Sequence, residues 1–295
     1  MAKIRIMFTR FSAFYSPLIL TGAAGFLQAE GLEPEFSMAE PGRAPRDLLE
    51  AGAVDVIQSA VYTNWLPLEK GQDSAIVHFA QVNERDGFFI AGRAPEPDFT
   101  WDRLKGRKVL IDHGGQPLAM FKYACDKAGV DFAEIDAIDV GDGAMLKAFR
   151  DGVGDYVHLQ GPGPQQMEKD GVGHIVAQVG PLIGKVAFSS LAATRPWLTG
   201  SMARGFTRAY TRARRYVNET PAAEIARVER DFFKDIDPAV LTATIATYQK
   251  LGNWNPAVAI DREGYEVALD VFLRAGLITR RHDFDLAVTA PPRID

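Results

Sequence analysis

Aromatic, polar and glycine residues follow four predicted strands of this chain, and these are the positions where binding or catalysis could take place. In open α/β sheets, ligands bind outside the carboxyl ends of the strands, where helix N-termini offer free N–H groups. Aromatic side chains suit a flat or apolar ligand, and we expect two of the five aromatic candidates to contact it. The candidate ligand site comprises Arg10, Phe11, Ser12, Phe14, Tyr15, Ser59, Ala60, Tyr62, Trp65, His113, Gly114, Gly115, Gln116, His158 and Gln160.

Gly114 and Gly115 stand between a predicted strand and a predicted helix. Without a Cβ atom, such a pair lets the backbone approach a ligand closely at a helix N-terminus; equally, it can form a tight turn that needs a positive φ. Both interpretations remain open. Residues 180–185 resemble a phosphate-binding loop, but the segment is one residue short and no Ser or Thr follows Lys185.

Acid–base catalysis would have to use the histidines of the candidate site. In this alternative, His113 or His158 acts as general acid or base beside Asp112. A hydrogen-bonding or core role is the other interpretation of each histidine. The five histidines show no i, i+4 pair and no neighbouring cysteine, so we predict no metal and no cofactor. Cys125 lies in a predicted helix and is expected to be a buried, inert thiol.

One sequence phrase, which occurs twice, must position these residues. Residues 49–55 and 149–155 each predict a helix end, a glycine C-cap (Gly52, Gly152), an aspartate and then a short strand. Such a unit is half of a βαβ crossover. Two copies predict two similar α/β lobes, and a cleft between lobes is a common ligand site.

The remaining segments predict how the chain divides between the lobes. We expect lobe 1 to comprise residues 1–90 and 193–295, and lobe 2 residues 91–192, joined by two hinge crossings. A helix is predicted from residue 18 to about residue 29, and four helices follow Pro196. Residues 204–215 are rich in arginine, and at helical spacing we expect them to form a solvated face.

Composition excludes several classes of function. The 295 residues carry a net charge of -5, which argues against general affinity for nucleic acid or an anionic membrane. No apolar run approaches about 18 residues, so direct membrane insertion is not expected. Residues 1–8 predict a strand rather than a signal peptide. As the chain stands, this predicts a cytoplasmic location; a periplasmic location would follow if an export signal had been removed.

Several segments resemble one protein family. Residues 11–18 and 25–32 are similar to the opening of the NMT1/THI5-like solute-binding family, whose members bind nitrate, sulfonates, taurine or thiamine pyrimidines. Residues 104–109, with the glycine pair, resemble the family's entry into its second lobe. The resemblance covers about residues 4–200. It implies a type II periplasmic-binding-protein fold, α/β in class: each lobe is a mixed sheet flanked by helices, with a ligand cleft between the lobes and a helical C-terminal segment.

The resemblance also implies a function. It predicts a solute-binding protein of an ABC-type importer, with a permease as a possible partner, that holds a small aromatic, heterocyclic or acidic organic molecule. An anion-binding role would need Arg10 to turn inward. The alternative is a cytosolic enzyme of this fold, similar to decarboxylases or lyases. Desulfinase-like members carry a cysteine where this chain has Ser12, which disfavours that chemistry. A third hypothesis is a regulatory ligand-binding domain, but this chain shows no DNA-binding segment.

Overall fold

A computed structural model describes residues 1–40 and 42–294 of the chain. The strands are β1 (Ala2–Phe8), β2 (Leu32–Met38), β3 (Val56–Ser59), β4 (Ile76–Asn83), β5 (Phe88–Gly92), β6 (Lys108–Leu110), β7 (Asp136–Ile138), β8 (Tyr156–Gln160), β9 (His174–Gln178) and β10 (Ser189–Thr194). The helices are α1 (Ser16–Ala23), α2 (Pro45–Glu50), α3 (Tyr62–Glu69), α4 (Gln116–Ala128), α5 (Met145–Arg150), α6 (Gly163–Lys169), α7 (Gly180–Ile183), α8 (Arg195–Leu198), α9 (Ser201–Glu219), α10 (Ala222–Val228), α11 (Pro238–Leu251), α12 (Arg262–Arg274) and α13 (Phe284–Ala287).

Within these described ranges the strands form two five-stranded sheets. The first sheet has the order β2-β1-β3-β10-β4 and the second the order β7-β6-β8-β5-β9. Each sheet contains three parallel neighbours, then one antiparallel strand, β10 or β5, and finally an edge strand, β4 or β9, that pairs antiparallel with it. The chain passes between the sheets after β4 and again after β9. We call the parts around the two sheets the first lobe and the second lobe; their exact residue boundaries stay a prediction.

The repeated phrase plays the same part in both lobes. Gly52 and Gly152 have φ values of 66° and 93°, which lets the chain leave α2 and α5 in a left-handed conformation. Asp55 accepts a hydrogen bond from the backbone N–H of Arg5 in β1 at 2.8 Å. Asp155 accepts the equivalent bond from the N–H of Lys108 in β6 at 2.9 Å. Each aspartate therefore ties its own strand to the neighbouring parallel strand.

The C-terminal helices contact both lobes. The helix α9 packs against α1 in the first lobe, whereas α11 packs against α6 in the second. The helix α12 contacts both α3 and α4, one from each lobe. None of the helices in the described part of the chain combines the length and apolar character that a membrane span requires.

Two local predictions are wrong. The helix predicted from residue 18 ends at Ala23, because Gly25 adopts a φ of 73° and a short 3-10 turn follows. The arginine-rich run is not solvated throughout, since Arg214 is completely buried. Its guanidinium donates hydrogen bonds to the carbonyl groups of Gln81 and Val82, at 2.7 and 2.9 Å. Both residues lie near the end of β4, which is followed by the first crossing, so α9 fixes that end of the sheet.

Replacing Arg214 by leucine should lower the free energy of unfolding by about 3 kcal/mol, because two buried carbonyl groups lose a charged donor. Urea denaturation at neutral pH measures the effect. The matched control is Arg215→Leu, at an exposed position on the same helix, which should change stability by less than about 0.5 kcal/mol. Equal losses in the two variants would contradict the role assigned to Arg214.

Candidate functional site

A cavity of about 570 Å³ lies where the strand ends of the two lobes face each other. Residues after β1 and β3 line it from the first lobe, and residues after β6 and β8 line it from the second. Phe88, at the start of β5, and Phe188, in the second crossing, also contribute. This part of the lining comprises Thr9, Arg10, Tyr15, Ile57, Gln58, Ser59, Ala60, Tyr62, Phe88, Gly114, Gln116, Pro117, Gln160, Phe188 and Ser189.

The strand-end rule located part of this lining from the sequence alone. Of the five aromatic candidates, Tyr15 and Tyr62 line the cavity. The other predicted residues in the lining are Arg10, Ser59, Ala60, Gly114, Gln116 and Gln160. Gln58, Phe88 and Phe188 were missed. The signal for Gln58 was a glutamine in a predicted strand, directly before the candidate Ser59, whereas the two phenylalanines can be placed only once the crossings are known.

Three aromatic candidates pack against other side chains and do not line the cavity, so their prediction as ligand residues is corrected. Trp65 is completely buried, and its indole N–H donates to the hydroxyl group of Tyr265 at 2.7 Å. Phe14 packs in the core beside Tyr248. Phe11 faces away from the cavity, with its ring 5.3 Å from that of Phe233. Each of these contacts involves the C-terminal helical segment, whose position the local sequence does not reveal.

Ser12 and the histidines also lie outside the lining. The Ser12 hydroxyl donates to the carbonyl group of Gly161 at 2.5 Å, so it joins the loop after β1 to the end of β8 in the other lobe. His113 is exposed. His158 is buried behind Phe88, with its ring stacked on the phenyl ring at 4.2 Å.

The two glycines have different roles. Gly114 lines the cavity, and its N–H donates to the carboxylate of Asp112 at 2.8 Å. Gly115 is not in the lining; it has a φ of 74° and precedes α4, where a Cβ atom would lie 3.3 Å from the Tyr62 hydroxyl. Of the two interpretations of the pair, close approach of the backbone to the cavity therefore fits Gly114, and a turn that needs a positive φ fits Gly115.

Arg10 does turn inward, and it bridges the lobes. Its guanidinium lies 2.5 Å from the carboxylate of Asp112, and both side chains are largely buried. The guanidinium carbon also lies 5.4 Å from the centre of the Phe88 ring. Since Arg10 follows β1 and Asp112 follows β6, this ion pair closes one side of the cleft.

Neutral polar groups form further links across the cleft. The Gln160 side-chain N–H₂ lies 3.3 Å from the Tyr15 hydroxyl, and that of Gln116 donates to the carbonyl group of Phe188 at 2.7 Å. The other end of the Gln160 carboxamide, Oε1, is buried and has no hydrogen-bond partner among the described residues. Because an unsatisfied buried polar atom costs free energy, this group is suited to receive a ligand.

The three residues of the catalytic alternative do not line the cavity. Asp112 is engaged by Arg10 and by Gly114. Burial, together with the charge of Arg10, lowers the pKa of His158 to about 3, so this imidazole is neutral near pH 7. Cys125 is a buried free thiol, as predicted, and burial raises its pKa to about 12.

The architecture is that of the type II periplasmic-binding-protein fold, as the sequence predicted. Residues 14–224 match the family model described as NMT1/THI5 like, and the chain belongs to this family.

The chain is also similar to a named relative and, in its fold, to solved structures. The chain is 28% identical over 293 residues to the putative binding protein YtlA of Bacillus subtilis (strain 168), covering 98% of this chain and 88% of the relative. The alkanesulfonate-binding protein SsuA from Xanthomonas axonopodis pv. citri, bound to MOPS, has a TM-score of 0.76 at 17% identity, over 98% of this chain and 99% of that one. The periplasmic nitrate-binding protein NrtA from Synechocystis PCC 6803 has a TM-score of 0.73 at 16% identity, over 98% and 86%.

His158 should make the fold less stable in acid. Its folded-state pKa of about 3 lies below the ordinary value of 6.5. As the pH falls below about 6.5, the unfolded chain binds a proton that the folded chain does not, which costs up to about 1.4 kcal/mol per pH unit. The variant His158→Phe should therefore gain stability relative to the parent as the pH falls from 6.5 to 4.5.

Urea denaturation of both proteins across this pH range measures the difference. The control is the same comparison between pH 7.5 and pH 8.5, above the ordinary pKa of histidine, where the difference should stay constant. A difference for His158→Phe that does not depend on pH would contradict the burial argument.

Proposed function

We propose that this chain is a solute-binding protein of an ABC-type importer, which closes its two lobes over a small aromatic, heterocyclic or acidic organic molecule. The observation that carries the proposal is the cavity between the lobes, whose lining comes from both sheets. Ligand pockets of about 300–1,000 Å³ are typical for small organic molecules. Membership of the NMT1/THI5-like family supports it, as does the name of the Bacillus relative, a binding protein.

Aromatic side chains would hold the flat part of the ligand. Tyr15, Tyr62, Phe88 and Phe188 line the cavity from both lobes and from the second crossing. Burial of apolar surface contributes about 25 cal/mol for each Å² removed from water, and this would supply most of the affinity. Polar groups fix orientation in such pockets, and here the free end of the Gln160 carboxamide and the Ser59 hydroxyl are in place to do so.

Arg10 would determine how the affinity depends on the charge of the ligand. Its charge is balanced by Asp112 at 2.5 Å, so the cleft is not a bare cationic site. An acidic ligand group would therefore share the guanidinium with Asp112, and binding would depend on how the two carboxylates divide its N–H donors.

The transport role implies a partner and a location. The partner would be the permease of the same importer, and the protein would act in the periplasm, where the nitrate-binding structural relative is found. The lobes, residues 1–90 with 193–295 and residues 91–192, would move relative to each other about the two crossings.

Replacing Tyr15 by alanine should weaken ligand binding about tenfold or more, because one aromatic wall of the cavity is lost. The ligand is first identified by native mass spectrometry of the purified protein, and its affinity is then measured by titration calorimetry. The control is Tyr216→Ala, on α9 and outside the cavity lining, which should bind as the parent does.

Tyr15 is almost fully buried, so its loss also affects the core. Gln160→Met therefore gives a second test, because it keeps the side-chain volume and removes only the polar group. Unchanged affinity in both variants would refute the proposed ligand site.

A further inference from the structure

The cavity does not end at the cleft between the lobes. It continues along the first lobe, between the start of α2 and one face of α3. We call this extension the tail groove. It is lined by Ala44, Pro45, Arg46, Thr63, Leu66, Pro67, Lys70, Gln72 and Ile76. All of these residues belong to the first lobe, so the groove exists whether or not the lobes close.

The helix α3 gives the tail groove a direction. Tyr62, Leu66 and Lys70 recur every four residues, so they follow one face from the helix into its C-cap. Tyr62 stands at the cleft, Leu66 in the middle and Lys70 at the outer end. Leu66 is 46% exposed, although its neighbours Asn64 and Trp65 are buried. Along the groove an aromatic residue is therefore followed by an apolar residue and then by a cation.

The charges at the outer end are not balanced. Arg46 is held by the Ser74 hydroxyl at 2.7 Å and forms an ion pair with Glu50 at 3.1 Å. The ammonium group of Lys70, in contrast, has neither a hydrogen bond nor an ion pair within residues 1–40 and 42–294. No aspartate or glutamate belongs to the lining of the cavity in these same ranges. A negatively charged group would therefore be attracted to this end.

We propose that the tail groove binds an acidic tail of the ligand, with a short aliphatic chain along Leu66 and the anionic group at Lys70. This inference rests on the proposed function, because the ring of the same molecule would occupy the cleft. It narrows the ligand class to a flat ring that carries a flexible acid. The rise along α3 from residue 62 to residue 70 is about 12 Å, and this distance sets the length of tail that reaches the cation.

A series of ω-phenylalkanoic acids, from phenylacetic to 9-phenylnonanoic acid, tests the inference, with the primary amides as uncharged counterparts. Calorimetry with the full chain should show affinity rising about threefold per added methylene until the acid reaches Lys70. At that length the acid should bind about fivefold more tightly than its amide, as expected for one partly exposed ion pair.

The variant Lys70→Gln should abolish the preference for the acid and leave the affinity for the amide unchanged. Lys250→Gln, an exposed lysine outside the cavity lining, is the matched control and should keep the preference. Affinity that is independent of chain length, an acid preference that survives Lys70→Gln, or a series in which no acid binds would each overturn the tail groove.

The variant Tyr15→Ala separates this inference from the proposed function. If Tyr15→Ala weakens binding, but binding depends on neither chain length nor Lys70, the acidic-tail proposal is refuted and the cleft remains the ligand site. Binding that requires Lys70 and is insensitive to Tyr15→Ala counts against the cleft instead, and the groove then stands as a separate acid-binding site.

Discussion

A buried hydroxyl group, that of Tyr248 on α11, joins the second lobe to the first crossing between the lobes. It accepts a hydrogen bond from the N–H of Gly161, at the end of β8, at 2.7 Å. It donates to the carbonyl group of Gly87, in the first crossing, at 3.0 Å. Complete burial holds the pKa of Tyr248 well above its usual value, so the hydroxyl keeps the proton that it donates. A Cβ atom on either glycine would come closer than 3 Å to a neighbouring side chain, and both positions therefore require glycine.

The position of the cavity follows from this arrangement. With Gly161 held, the Ser12 hydroxyl reaches the carbonyl group of the same residue, and the loop after β1 is brought against the end of β8. Arg10 then lies opposite Asp112. These contacts lie beside the ligand cavity, so the groups that close the lobes are neighbours of the groups that would bind a solute. A largely buried ion pair contributes little net stability after desolvation. Closure would therefore depend on the free energy that a ligand adds, which is what a protein that responds to its solute requires.

The sequence predicted the parts of the structure that depend on residue type and spacing within one segment. The helix–glycine–aspartate–strand phrase identified both lobes, and the strand-end rule found Tyr15, Ser59 and Gln160 in the cavity lining. The failures in side-chain direction share a physical cause, since each depends on a partner that is distant in the chain. Trp65 turns towards Tyr265, and Arg214 turns towards the carbonyl groups at the end of β4. Residue type and spacing specify a loop or a helix face, but the direction of a side chain depends on what packs against it.

Four buried titratable groups act on the fold in opposite directions. Burial lowers the pKa of His78 and of His158 to about 3, and it raises that of Asp86 to about 7 and that of Glu229 to about 8. As the pH falls from 8 towards 4, the folded chain protonates the two carboxyl groups before the unfolded chain does, which adds stability. Below pH 6.5 the unfolded chain protonates the histidines first, which removes stability. The two effects overlap in mildly acidic solution and offset each other there. None of the four groups lines the cavity, so their titration acts on the stability of the fold, although His158 touches the lining through the ring of Phe88.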